Sequence, residues 1–322
     1  MDQLQLTEKW DKVFPKSEQV EHQKVTFQNH FGIQLAADRY TPKNASGKLP
    51  AIAVAGPFGA VKEQASGLYA QEMAERGFLT IAFDPSYIGE SGGFPRDMHS
   101  PDINTEDFQA AIDYLSNLAN VDAERIAIIG ICGWGGLALN AAAIDPRIKV
   151  TVASTLYDLS RVAGNGYFDE SDNAENRDQM RLALAKQRTE DFKNQSYQLA
   201  GGVVDPLPED APQFVKDYYA YYKEPRGYHV RSLNSNKGWA IQSNTSLLNT
   251  RSLYYTNEIR NAVLVVHGDK AHSYYMGKDA FAKLTGDNKQ MITVEGASHC
   301  DLYDQKDRIP FDQIETFILK HF

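Results

Sequence analysis

Apolar positions along this chain follow two rhythms that alternate. Short runs rich in β-branched and aromatic residues occur at Ala51–Ala55, Phe78–Phe83, Arg125–Ile129, Lys149–Ser154, Val263–His267 and Gln290–Val294. Several are nearly continuous in apolar residues, which predicts strands covered on both faces. Between them lie stretches with helical spacing: Lys62–Arg76, Thr105–Leu118, Leu137–Ile144, Lys278–Leu284 and Phe311–Lys320. In the second of these, Phe108, Ala111, Ile112 and Leu115 share one face. Gly77 suits the C-cap of the first. Two earlier runs, Val25–Phe27 and Gln34–Tyr40, flank a turn-like Asn29–Gly32 segment and predict an antiparallel hairpin leading into the sheet. Strands that alternate with helices predict an α/β fold with a mostly parallel central sheet and helices on both faces.

The rhythm breaks between about Leu159 and Arg260. That stretch is polar, helical in places, and carries an aromatic cluster at Tyr218, Tyr219, Tyr221 and Tyr222. Strand-like Val263–His267 then resumes the sheet. The expected organisation is a core made of residues 1–158 and 261–322, with residues 159–260 inserted as a helical cap. A separate helical domain is the competing reading.

Composition narrows the function. With 322 residues, 42% of them hydrophobic, the chain can bury a large core. A net charge of −9 argues against non-specific nucleic-acid binding and against docking on anionic membranes. Two cysteines, Cys132 and Cys300, make no disulfide framework. The N-terminal segment is polar, without the apolar centre of a signal peptide, and no apolar run approaches the ~20 residues that span a bilayer. These features predict a cytoplasmic protein. No metal constellation, P-loop or dinucleotide fingerprint stands out, so no cofactor is expected. Self-association into a homo-oligomer stays open.

The sharpest chemical signal is RIAIIGICGWGGLALNAAAI, residues 125–144. A buried strand runs into Gly130–Gly136 and then a helix, the setting of a nucleophile elbow. Cys132 occupies the reactive position. A thiol at a helix N-terminus is expected to have a lowered pKa and to be poised as thiolate. Trp134 is irregular, since a small residue usually stands two places after the nucleophile. The alternative is a small buried cysteine beside a packing turn.

Six blocks carry a family resemblance: GPFGAVKEQ (56–64), FDPSYIGESGG (83–93), GICGWGG (130–136), YDLSR (157–161), VHGDKAHS (266–273) and GASHCDLYD (296–304). In order and spacing the chain resembles the dienelactone-hydrolase-like branch of the α/β hydrolases, in particular cysteine hydrolases allied to polyketide transferases. The resemblance implies an α/β-hydrolase fold and a small-molecule acyl substrate, an ester, lactone or thioester. It implies His299, on the loop after the last strand, as general base. For the acid it leaves two candidates. Asp269 lies after the strand that usually supplies it but two residues early, while Asp158 follows the preceding strand. Asp269 is slightly preferred. Backbone N–H groups of Gly133 and of Phe58 are the expected oxyanion hole, because Pro57 has no N–H to give. Glu63 is placed where a glutamate of dienelactone hydrolases can meet the resting thiol, and a solvated Lys62–Glu63 pair is the plainer alternative. Competing functions are acyl transfer, a peptidase of the related prolyl family, and a weakly catalytic ligand-binding protein on a hydrolase scaffold.

Overall fold

The computed structural model describes residues 4–322. An antiparallel hairpin, β1 (Val20–Gln28) and β2 (Gln34–Pro42), opens the chain. Six further strands follow: β3 (Leu49–Ala55), β4 (Leu79–Phe83), β5 (Val121–Ile131), β6 (Val150–Ser154), β7 (Ala262–Gly268) and β8 (Lys289–Val294). They form one eight-stranded sheet in the order β1-β2-β4-β3-β5-β6-β7-β8. β2 meets β4 antiparallel, and every pairing from β4 onward is parallel. All six predicted core strands and the hairpin are present. β5 is longer than its apolar run, since it begins in the polar Val121–Glu124 segment, where Leu49 pairs with Val121 before the register shifts.

Alternation along the central strands splits the core in two. Ile52, Val54, Ala127, Ile129 and Ile131 face one layer, where α1 (Ala65–Glu75) and α10 (Phe311–Lys320) pack. Ala51, Ala53, Ile126 and Ile128 face the other, covered by α2 (Pro101–Ser116) and α3 (Gly133–Ile144). Pro101 fits the first turn of α2, which has no use for its missing N–H. Gly77 adopts φ 99° just past Arg76, the C-cap of α1. A helix after β7, α8 (Tyr274–Lys283), supports that strand.

Between β6 and β7 the chain adds no strand to the sheet. It forms α4 (Leu159–Asn165), α5 (Ala174–Asn194), α6 (Gln213–Tyr222) and α7 (Ser243–Leu248), with single 3-10 turns at 167–169 and 256–258. Asp191 is the only buried residue of α5. By contrast, Tyr221 and Tyr222 of α6 are fully buried. No described helix is long and apolar enough to cross a membrane.

Strand register fixes where loops converge. Ala55 lies beside Gly130, Ile131 beside Ser154, and Ser154 beside Val266. The loops leaving β3, β5, β6 and β7 therefore emerge at one edge, together with the loop after β8. Open α/β sheets bind ligands at this carboxyl edge.

Candidate active site

Cys132 sits between β5 and α3 with φ 59° and ψ −125°. A non-glycine residue seldom holds such a backbone, and here the surroundings enforce it. Its N–H donates to Ser154 (3.0 Å), and its carbonyl accepts from Gly135 (2.9 Å) and Tyr157 (3.0 Å). The turn is tight enough to demand small neighbours. A Cβ at Gly130 would lie 2.1 Å from the Trp134 carbonyl oxygen, and one at Gly133 would lie 2.9 Å from the Cβ of Phe58. α3 begins at Gly133, four residues before its apolar periodicity starts, so the glycine run is the first turn of the helix. Trp134 points away from the thiol. It is buried on the opposite face of the sheet, edge-on to Phe83 and Phe108.

Four polar groups surround the Cys132 sulfur: the hydroxyls of Tyr303 and Tyr218, and the backbone N–H groups of Gly133 and Phe58. The two N–H groups are those expected from the sequence for an oxyanion hole. The Phe58 loop is held from behind, where Asn234 Nδ2 donates to the Phe58 carbonyl (2.7 Å) and Asn234 N to the Gly59 carbonyl (3.0 Å). Burial nevertheless pushes the thiol above its ordinary pKa, against the pull of the dipoles around it. This corrects the expectation of a lowered value, because removal from water outweighs the helix terminus.

His299 is almost fully buried in the loop after β8. Its Nδ1 meets Ser273 Oγ at 2.6 Å and Thr155 Oγ1 at 3.0 Å, and its Nε2 meets the Tyr303 hydroxyl at 3.0 Å. Thr155 Oγ1 also donates to the His299 carbonyl (3.3 Å), so that oxygen is left to accept from Nδ1–H. This assigns the tautomer with a free lone pair on Nε2. Burial first, then the neighbouring His272 and His267, holds the imidazole well below its usual pKa.

Neither acid candidate reaches His299. Asp269 Oδ1 accepts from the N–H of Gly296 (2.7 Å) and so ties together the loops after β7 and β8. Asp158 is the N-cap of α4, accepting from Arg161 N (3.0 Å) and Ser160 Oγ (2.6 Å). Ser273 and Thr155, from the same two loops, stand where the carboxylate was expected. Glu63 is also engaged elsewhere. Its carboxylate pairs with Lys62 (2.8 Å), Arg231 (2.8 Å) and Lys24 (3.4 Å). Glu63, Asp84 and Glu90 are close enough together to ligate a cation. Lys62 Nζ already lies among them, 2.7 Å from Asp84 and from Glu90. Cys300 is a free, fully buried thiol next to His299.

Tyr303, Tyr218, Ser273 and Thr155 escape a sequence reading. Tyr303 had a faint signal, four residues after the histidine, on the short α9 (Asp301–Asp304) that follows it. The hydroxyls of Ser273 and Thr155 are too common as residue types to single out.

A cavity of about 270 Å³ opens onto Cys132. Its wall is largely apolar and aromatic, with Tyr157, Tyr167, Tyr218 and Trp239 among the lining residues and no Asp, Glu, Lys or Arg. Much of this wall comes from the segment between β6 and β7. A larger cleft of about 590 Å³, rich in Arg and Asp, lies across α4 and contains neither Cys132 nor His299.

Known proteins agree with this architecture. The family described as X-Pro dipeptidyl-peptidase (S15 family) matches residues 32–300. A protein of Pseudomonas aeruginosa, PA2218, is 53% identical over 99% of this chain and 86% of its own. Its crystal structure superposes with a TM-score of 0.97, at 52% identity and full coverage of both chains. The thiohydrolase aneE of Aspergillus aculeatus is 31% identical over 42% of each chain. The α/β hydrolase GrgF of Penicillium sp. sh18 has the same fold, with a TM-score of 0.77 at 18% identity, covering 94% of this chain and 99% of that one.

Proposed function

Because this chain belongs to the X-Pro dipeptidyl-peptidase (S15) family and is a hydrolase of the α/β-hydrolase fold, we propose that it cleaves a thioester or ester of an apolar acid through Cys132, in the manner of the dienelactone-hydrolase-like cysteine enzymes. The observation that carries this reading is the sulfur of Cys132 lying under two backbone N–H groups, Gly133 and Phe58, at the mouth of an uncharged aromatic cavity. Donors that meet the sulfur at rest are oriented to meet the oxyanion formed beside it when a carbonyl is attacked. His299, with an unprotonated Nε2, serves as the base. Ser273 and Thr155 fix its orientation and tautomer, the positioning part of a triad carboxylate's role, without adding a charge.

The lining chemistry favours an acyl group over a dipeptide. A peptide N-terminus brings an ammonium, which is costly to bury without a carboxylate partner, and no carboxylate lines this cavity. The name of the partial relative aneE, a thiohydrolase, adds weight to a thioester. A thiol nucleophile also suits a thioester, since attacking and departing groups are then both sulfur. Acyl transfer would use the same covalent intermediate with an alcohol in place of water.

One observation favours the competing reading of a slow or vestigial catalyst. With the thiol pushed up, the imidazole pushed down and no carboxylate on Nδ1, the resting pair is neutral. The discriminating experiment is a turnover screen against p-nitrophenyl esters, acyl thioesters and lactones, with Cys132→Ala alongside. Hydrolysis of apolar acyl thioesters that disappears in the variant is the expected result. Equal rates for both proteins, or no turnover of any member, would reject the proposal.

A further inference from the structure

Resting on Cys132 as nucleophile, we propose that Tyr303 is a catalytic residue that relays the thiol proton of Cys132 to Nε2 of His299. The Tyr303 hydroxyl reaches both ends of that path: it lies beside the Cys132 sulfur in the wall of the same cavity, and 3.0 Å from His299 Nε2. Polarity along the path is consistent. Nδ1 of His299 carries its proton towards Thr155 and Ser273, so Nε2 accepts from Tyr303 O–H. The Tyr303 oxygen is then left to accept from the thiol. The chain S–H to O–H to N is continuous and needs no water.

The ring cannot swing aside. Tyr303 is fully buried, edge-on to Tyr221 at 5.0 Å and within 6.3 Å of Tyr222, both fully buried themselves. A side chain wedged in this way, on α9 four residues after the histidine, keeps its hydroxyl between base and nucleophile. Burial and the nearby thiol also raise the Tyr303 phenol well above its usual pKa, which keeps it protonated and able to hand on a proton.

The step balances. As the sulfur bonds to the acyl carbon, the S–H bond breaks and its proton goes to the Tyr303 oxygen. The phenol proton passes at the same time to Nε2. The electron pair of the carbonyl moves to its oxygen, under the N–H groups of Phe58 and Gly133. On collapse the imidazolium returns its proton by the same path to the departing oxygen or sulfur. Water then attacks the acyl-enzyme, gives up a proton along the relay, and the thiol is regained. Tyr303 is neutral before and after, so no oxidant or additional acid is needed.

The test compares wild type, Tyr303→Phe and Cys132→Ala on one active acyl thioester in H2O/D2O mixtures. Tyr303→Phe should lower kcat by at least about 100-fold. The dependence of kcat on deuterium fraction should be curved in wild type, with two protons in flight, and linear in the variant. Replacing Tyr303 by 2,3-difluorotyrosine keeps the shape while making the phenol more acidic, and should move kcat and the alkaline limb of the pH profile. That substitution decides the matter should Tyr303→Phe fold poorly. Unchanged kcat and an unchanged deuterium curve in both Tyr303 proteins would overturn the relay. Should Cys132→Ala stay active, it is the nucleophile assignment that falls; an inactive Cys132→Ala beside a fully active Tyr303→Phe removes the relay alone.

Discussion

Two polar clusters lie buried in this molecule, and they solve the problem of burial in opposite ways. Behind the Phe58 loop, Lys62 is surrounded by Asp84, Glu90 and Glu63, while Lys24 and Arg231 close the ring. Every charge there is matched, and Lys62 is held well above the usual lysine pKa by its carboxylates despite burial. Around Cys132, among the described residues, no carboxylate, lysine or arginine makes a hydrogen bond or ion pair with the thiol or with His299. The polar partners are hydroxyls and backbone N–H groups. The first cluster gains its geometry from paired charge and gives it to the loop bearing the Phe58 N–H. The second stays neutral at rest and is therefore free to create charge when a substrate arrives. A site that must form an oxyanion and an imidazolium in one step is well served by fixed dipoles around it and by a rigid charged brace beside it.

The contrast is broken most forcefully at Lys62. Lys62→Met leaves three buried carboxylates facing one another, and removing one partner of a buried ion network typically costs about 3–5 kcal/mol. We expect a large drop in Tm by calorimetry, with any residual folded protein binding ligand poorly. An unchanged Tm would mean that the cluster is hydrated and braces nothing.

His299→Ala should do the reverse. kcat falls by about 10³-fold, roughly 4 kcal/mol of barrier, while Tm falls less than in Lys62→Met, since a neutral ring is removed and no charge is stranded. A Tm loss as large as that of Lys62→Met would erase the distinction between the two regions.

Acid should dissolve them in sequence. The fold holds His267 and His272 at about 4, below the ordinary value of 6.5. Between those values the unfolded chain binds more protons than the native one, so stability is complete above pH 6.5 and declines as pH falls towards 4. By pH 4 the decline should be roughly 3 kcal/mol for each histidine, about 6 kcal/mol for the two. Glu90, lowered from 4.5 to about 2 by Lys62 and Lys24, keeps contributing until lower pH. Urea titrations at pH 7, 5.5 and 4 measure this, and a flat profile down to pH 4.5 would contradict the buried neutral histidines.

Smaller effects separate the partners of His299. Ser273→Ala removes the 2.6 Å contact at Nδ1 and should lower kcat about tenfold with KM nearly unchanged. Asp269→Asn and Asp158→Asn should leave kcat within about twofold, because neither carboxylate touches the imidazole. A slow Asp269→Asn enzyme paired with a normal Ser273→Ala enzyme would restore the carboxylate triad.

How far the chain announces all this differs between scaffold and site. Strands written as continuous apolar runs, such as Ala51–Ala55 and Val263–His267, could be read because burial on both faces leaves few other sequences. The elbow could be read because its glycines are sterically required. The Asp269 preference followed the usual position of an acid, but a carboxylate two residues early reaches the Gly296 N–H and not the imidazole. Ser273 and Thr155 carry no pattern of their own. They become meaningful only when β6, β7 and the loop after β8 are side by side. The helix-terminus argument for a low thiol pKa failed for a related reason. Depth of burial depends on Tyr218 of α6, more than eighty residues away in sequence, closing over the sulfur.

The central claim is that the Cys132 sulfur carries the acyl group. Intact-protein and peptide mass spectrometry of acid-quenched enzyme, taken during turnover of an apolar acyl thioester, tests it directly. The account predicts an acyl mass increment on the peptide containing Cys132, chased away by water and absent from Cys132→Ala. Turnover with no increment on Cys132, or an acyl group found at another residue and retained in Cys132→Ala, would contradict it.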